Sequence, residues 1–211
     1  MSGRKKKDDQ STQAAYWERL EKAGAHDVCQ RTEAIYSSVR KGFVLPVLNQ
    51  KYLILPREQK MFCLRGEEWA EVALRDHFTL MVLLYLLDSK GADPTRAWIG
   101  EKDLKGGATF FRGPHALPLE ELKKAFGSDL NGFWHAGQRL GGVELLFGDK
   151  ALALTVFPKV PLAFVFWKED DEFPPRVTIM FDSTIQKHFS LDGLWCMVAE
   201  VSRRLLDARE A

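Results

Sequence analysis

The spacing of apolar residues changes repeatedly along this chain, and each change predicts a different element. From 11 to 39, "STQAAYWERLEKAGAHDVCQRTEAIYSSV" carries a helical pattern, with Ser11 or Thr12 as N-cap and Gly24 as a break. In "GFVLPVLNQKYLILP" (42–56) two apolar runs flank Asn49-Gln50-Lys51, which predicts a hairpin. Pro46 has no N–H to donate and directs the first of these runs to a sheet edge. Helical spacing returns in "EEWAEVALRDHFTLMVLLYLLDSKG" (67–91), with apolar residues at 69, 72, 73, 80, 83, 84 and 87. The second half of that segment is apolar on nearly every side, so its helix is expected in the middle of the fold, ended by Gly91 and Pro94.

"RAWIGEKDL" (96–104) reads as a short strand or an extended lead-in. Pro118 then opens a helix over "LEELKKAF", closed by Gly127. "SDLNGFWHAGQRLGG" (128–142) predicts another, capped by Ser128 and ended by Gly141, although Gly132 and Gly137 weaken it. Strands follow: "VELLF" (143–147) and "ALALTVF" (151–157) around Gly148-Asp149-Lys150, then "VPLAFVFW" (160–167) and "RVTIMF" (176–181) around "KEDDEFPP". "SLDGLWCMVAEVSRRLL" (190–206) is a helix capped by Ser190. No crossover helix separates the strands of 143–181, so they cannot be parallel neighbours. The expected fold is α+β: a mostly antiparallel sheet, with strands within 42–56 and 143–181, packed against helices on one face. Residues 1–10 are expected to be a disordered tail and 11–211 a single domain.

Composition narrows the classes of function. At 211 residues, 45% hydrophobic and 28% charged, the chain has the makeup of a globular protein with a real core. A net charge of +1 creates no overall field for nucleic acid or an anionic membrane, and Asp8 and Asp9 offset the basic run in "GRKKKDD". The apolar run "FTLMVLLYLL" (78–87) is too short to span a bilayer, and the charged start lacks the apolar stretch of a signal peptide. Cys29, Cys63 and Cys196 are widely spaced with no CxxC, which argues against a zinc ribbon, a ferredoxin-type cluster and a disulfide framework. A cytoplasmic location is expected.

Two stretches carry candidate chemistry. In "GGATFFRGPHALP" (106–118), Gly106 and Gly107 permit a tight backbone cradle and Phe110 and Phe111 supply aromatic faces. Within it Arg112 suits a carboxylate or phosphate, and His115 suits an acid, a base or an axial ligand. The same residues also suit an awkward turn with one Phe in the core. In "FWKEDDEFPP" (166–175), Asp170, Asp171 and Glu172 beside Trp167 and Phe173 form either a cation site or a solvated acidic loop. His135, next to Trp134, is placed to join His115 around a metal or planar cofactor. No G-x-S-x-G, HExxH, GxGxxG or Walker lysine is present.

Taken in order, "LMVLLYLL", "GGATFFRGPHALP", "FWHAGQRLGG" and "FPKVPLAFVFWKEDDEFPPRVTIMFD" resemble an uncharacterised domain-of-unknown-function family. Its members occur in anaerobic bacteria and archaea, sometimes beside or fused to iron–sulfur and corrinoid proteins. The most specific match is W-x-x-D-x-E-F-P…F-D, carried here by Trp167, Asp170, Glu172, Phe173, Pro174, Phe181 and Asp182. The resemblance implies a cofactor-binding or accessory protein for a corrinoid or other tetrapyrrole, with iron–sulfur or corrinoid proteins as partners. Gly106, Gly107, Phe110, Phe111, Arg112, His115, His135 and Trp167 would form the binding site. Two alternatives remain: a metal-assisted hydrolase using the 169–172 loop with His115 or His135, and a protein-interaction domain docking through "EFPP".

Overall fold

The computed structural model describes residues 13–169 and 171–210. The expected tail at 1–10 and the Ser11 or Thr12 cap lie outside the described residues. Helix α1 (13–22) breaks at Gly24, as its sequence suggested, and α2 (Ala25–Thr32) follows. The chain then builds an antiparallel five-stranded sheet in simple order: β1 (Ile35–Ser37), β2 (Gly42–Val47), β3 (Gln50–Leu55), β4 (Lys60–Arg65) and β5 (Glu68–Glu71). Helix α3 (Asp76–Asp88) separates it from a second five-stranded antiparallel sheet. That sheet consists of β6 (Trp98–Gly100), β7 (Val143–Leu145), β8 (Lys150–Phe157), β9 (Val160–Trp167) and β10 (Arg176–Asp182), in the order β6-β10-β9-β8-β7. Between β6 and β7 lie the single turn α4 (Gly107–Phe110), α5 (Glu120–Phe126) and α6 (Leu130–Arg139); α7 (Leu191–Glu210) ends the described chain.

The α+β class holds, with its strands divided between two sheets. Residues 35–37 and 68–71, read from sequence as parts of helices, are strands. Gly66, at φ +61°, opens a two-residue turn that folds β5 back on β4, pairing Leu64 with Trp69. The apolar positions 69, 72 and 73 therefore belong to a hairpin and its exit, and the helix starts only at Asp76. Pro46 does not mark an edge, because β2 lies between β1 and β3. The β1–β2 register stops at Ile35 opposite Val44, so no β1 carbonyl waits for the missing N–H of Pro46. The β2–β3 turn is Leu48-Asn49, with Leu48 at φ +53°, one step earlier than its sequence suggested. Helix α6 is capped by Asp129 in place of Ser128: Asp129 Oδ1 accepts the Gly132 N–H at 2.8 Å.

Burial explains the layout. Every residue of α3 from Phe78 to Leu86 except Leu80 is buried, so the helix needs a neighbour on each side. Phe78 packs on Tyr52 of the first sheet (ring centroids 4.9 Å apart), and Tyr85 stacks on Phe157 of the second (4.3 Å, 12° between planes). Gly193 lets α7 approach, since a Cβ there would stand 3.1 Å from Leu84 Cδ1. Arg31 of α2 donates to the carbonyls of Leu86 and Ser89 at the end of α3. The two sheets touch where the Leu48 N–H donates to the Val156 carbonyl at 3.0 Å.

Helices α5 and α6 cover one face of β8 and β9. Phe166 meets Phe133 at 4.4 Å and Phe126 at 6.3 Å between ring centroids. Gly137 brings α6 down onto Leu152, where any Cβ would sit 2.1 Å from the Leu152 side chain. Phe166→Ala empties the space between Phe126 and Phe133 and should cost about 3–5 kcal/mol of stability. Val39→Ala, at a 91% exposed position, should stay within about 0.5 kcal/mol. Urea denaturation of both variants measures the difference.

Candidate functional site

The Gly-rich stretch forms a pinned turn. Gly106 adopts φ +81° and starts α4, and Gly107 faces the Glu101 carbonyl so closely that a Cβ would lie 2.0 Å from that oxygen. Only glycine fits there. Its ends are held by two bonds between Lys105 and Gln186 (2.8 and 3.0 Å) and by Trp195 Nε1 donating to the Ala116 carbonyl at 3.1 Å. Phe111 is buried in the core, whereas Phe110 is half-buried and stacks against His115, with centroids 4.7 Å apart. His115 and Arg112 are both exposed, and Arg112 makes no ion pair among the described residues.

The second stretch borders a cleft of ≈ 650 Å³. Trp167 and Arg176 are register partners across β9 and β10, so their side chains leave the same face of the sheet. The Arg176 guanidinium lies 3.9 Å over the Trp167 ring centroid, close enough for a cation–π contact. Lys168, Phe173, Pro174, Pro175 and Asp149 complete the wall, with the Lys168 N–H donating to Asp149 Oδ2 at 2.8 Å. Gly148, at φ +55°, lets the β7–β8 turn lie against β9, because a Cβ would stand 2.6 Å from the Phe166 carbonyl oxygen.

Pro175 and Arg176 also form one wall of a smaller cleft of ≈ 280 Å³, whose other side includes Phe111, Ala116 and Leu117. The fold therefore brings the two candidate stretches together across a shared Pro175–Arg176 partition. It does not bring in the histidines as expected. His135 is exposed on α6, beside a Trp134 ring that packs under Lys150 Nζ at 4.6 Å. Neither His115 nor His135 lines the Trp167 cleft. Asp171 and Glu172 are exposed, Asp170 lies outside the described residues, and no three His, Cys, Asp or Glu among the described residues are arranged to hold a metal ion.

Sequence reasoning passed over buried polar groups at the other end of β10 and the end of α3. His188, which had no supporting context in sequence, is 1% exposed, with Nδ1 2.8 Å from Ser89 Oγ at the end of α3. Burial pushes its pKa below the ordinary 6.5; the positive charges of Lys159 and Lys187 act in the same direction, against the Ala92 backbone and Asp182. Asp182 closes β10. Burial by itself would raise its carboxyl, but donors from Thr184, Thr95 and the Arg96 N–H (2.6 Å) outweigh that and hold it below the usual carboxylate range. Asp182 stood in the sequence motif; its role as an acceptor for two loops was not legible there.

Fold and site together define an α+β protein with surface clefts walled by aromatic, proline and arginine side chains, and with no metal-holding cluster among the described residues. The chain belongs to the family described as a domain of unknown function (DUF3786), whose model matches residues 25–204. That span takes in both sheets and the core helices α3, α5 and α6. No curated protein and no solved structure matches the chain.

Because His188 is held neutral, the unfolded chain binds more protons than the folded one once pH drops below 6.5. Stability should be full above that value and decline as pH falls toward the lowered folded pKa. His188→Gln should flatten this slope, with thermal midpoints measured from pH 8 to about 5 as the readout.

Proposed function

We propose that this protein binds a flat, carboxylate-bearing cofactor in the Trp167–Arg176 cleft and acts as an accessory protein in a reducing cytoplasm. The observation that carries the reading is the Arg176–Trp167 stack in a cleft of ≈ 650 Å³, within the size range of small-molecule sites. Trp167, Pro174 and Pro175 offer flat apolar surface, and Arg176 and Lys168 offer cations for peripheral carboxylates. That donor set fits the edge of a corrinoid or other tetrapyrrole, the cofactor class that the sequence resemblance implies. The cleft lining contains no histidine, so stacking and ion pairing would hold the ring. The three cysteines are all thiols, which supports a reducing compartment, and among the described residues no helix is long and apolar enough to cross a membrane.

Absorbance titration of the purified protein with haem and with cobyrinic acid, a corrinoid whose side chains are free carboxylates, tests the reading. One of them should give a saturable spectral change, weakened about tenfold by Arg176→Ala or Trp167→Ala. No spectral change with either, or equal affinity in both variants, rejects it.

A protein-interaction reading has its own support. Leu146 is 98% exposed, Val143 66% and Phe147 40%, all on or next to the turn that packs beside Trp167. Apolar groups grouped in this way mark contact surfaces. An iron–sulfur or corrinoid protein is the proposed partner. Leu146→Asp should abolish co-elution with that partner while leaving cofactor affinity within about twofold. Undiminished co-elution would remove this second reading. The hydrolase alternative is not favoured, because neither His115 nor His135 lines the cleft beside the acidic loop.

A further inference from the structure

A second cleft, formed by β4, the start of α3 and α7, has a different chemistry. It holds ≈ 380 Å³ and is walled by Arg65, Arg75, Arg203 and Arg204 over Tyr52 and Phe78. The acids of its lining are already matched. Glu200, only 3% exposed, accepts from Arg203 Nη2 and from Arg204 Nε, both at 2.8 Å. Burial would raise the Glu200 carboxyl, but the two guanidinium groups hold it below the usual range. Arg203 also bonds Asp207, and Glu71 pairs with Lys60 at 3.0 Å.

Arg204 is fixed further. Its Nη1 donates to the Tyr52 hydroxyl at 3.0 Å, and its guanidinium lies 4.6 Å over the Phe78 ring centroid. These contacts hold two arginines in place before any ligand arrives. Arg65 and Arg75 are exposed and make no ion pair among the described residues. The lining itself carries four arginines against three acids, and because Glu71 is paired with Lys60 outside it, Arg65 and Arg75 are both left without a counter-ion.

We propose that this cleft is a phosphate-binding site, for inorganic phosphate or for the phosphoryl end of a small organic phosphate. Two uncompensated guanidinium groups match a phosphate dianion in charge. The arginines come from a strand, a helix start and a separate long helix, so their N–H groups approach from several directions. That suits an anion with oxygens pointing several ways better than a planar carboxylate. The space exceeds one phosphate, and Tyr52 and Phe78 give the remainder an aromatic floor.

Isothermal titration at fixed ionic strength, with inorganic phosphate and with phenyl phosphate, tests this directly. The expected result is saturable binding, weakened about tenfold by Arg75→Gln or Arg65→Gln and unchanged by Arg40→Gln outside the cleft. Tighter binding of phenyl phosphate assigns an organic phosphate, and equal affinity assigns the free ion. No saturable binding up to about 10 mM, or equal affinity in the Arg75→Gln and Arg40→Gln proteins, overturns the proposal. Circular dichroism verifies folding. If Arg65→Gln does not fold, Arg75→Gln, at the first exposed position before α3, carries the test alone.

Discussion

The rest of this structure depends on burying one helix. From Phe78 to Leu86 helix α3 is buried at every position but the half-buried Leu80, and a stretch with no polar face must be enclosed by other elements. The first sheet supplies Tyr52, the second Phe157, α7 its Gly193 surface, and α2 closes the C-terminal end through Arg31. The division of strands into two sheets follows from this demand, because one sheet of this size cannot surround a helix. Of the two hydroxyls the helix buries, that of Tyr85 donates to the Thr32 carbonyl at 3.1 Å, and burial pushes its pKa well up, whereas Thr79 Oγ1 has no hydrogen-bond partner among the described residues.

Enclosing α3 also sets where ligands can reach the protein. The interior is filled by aromatic and aliphatic side chains, which leaves the sheet ends and inter-element seams as the open positions. One seam, at the end of β9 and β10, displays Trp167 and Arg176 on a common face and meets the Gly107 turn across Pro175. Another, between the first sheet and α7, collects arginines from elements far apart in the chain. The two seams differ in character because one borders a hairpin end rich in aromatics and prolines, and the other faces the charged side of α7.

Buried polar groups hold the connections between these parts. Lys159, Asp182, His188 and Glu200 are each under a tenth exposed; the first three have partners from other segments, and Glu200 is matched within α7 by Arg203 and Arg204, the latter reaching Tyr52 of the first sheet. Desolvating such groups without partners would be strongly unfavourable, so the bonds to loops and helix ends are conditions of the fold. Lys159, for example, ties the β8–β9 turn to the Gly91 carbonyl and Asp93 just after α3.

Much of this was legible in the chain. The all-round apolar character of 78–87 announced a central helix, the consecutive strands of 143–181 announced an antiparallel sheet, and the ordered motifs announced the family. Gly106, Gly107 and Trp167 stood out because their residue types are unusual in those local settings. The strand at 68–71 was hidden because its apolar spacing continued into a helix, and the turn at Gly66 carried the only contrary signal. The pairing of charges lay further out of reach. Arg204 meets Tyr52 across 152 positions, and His188 meets Ser89 across 99. Local spacing determines which face of an element seeks burial. Which charges end up neutralised, and whether Arg176 or Arg112 stands over an aromatic ring, is decided only when distant elements pack together.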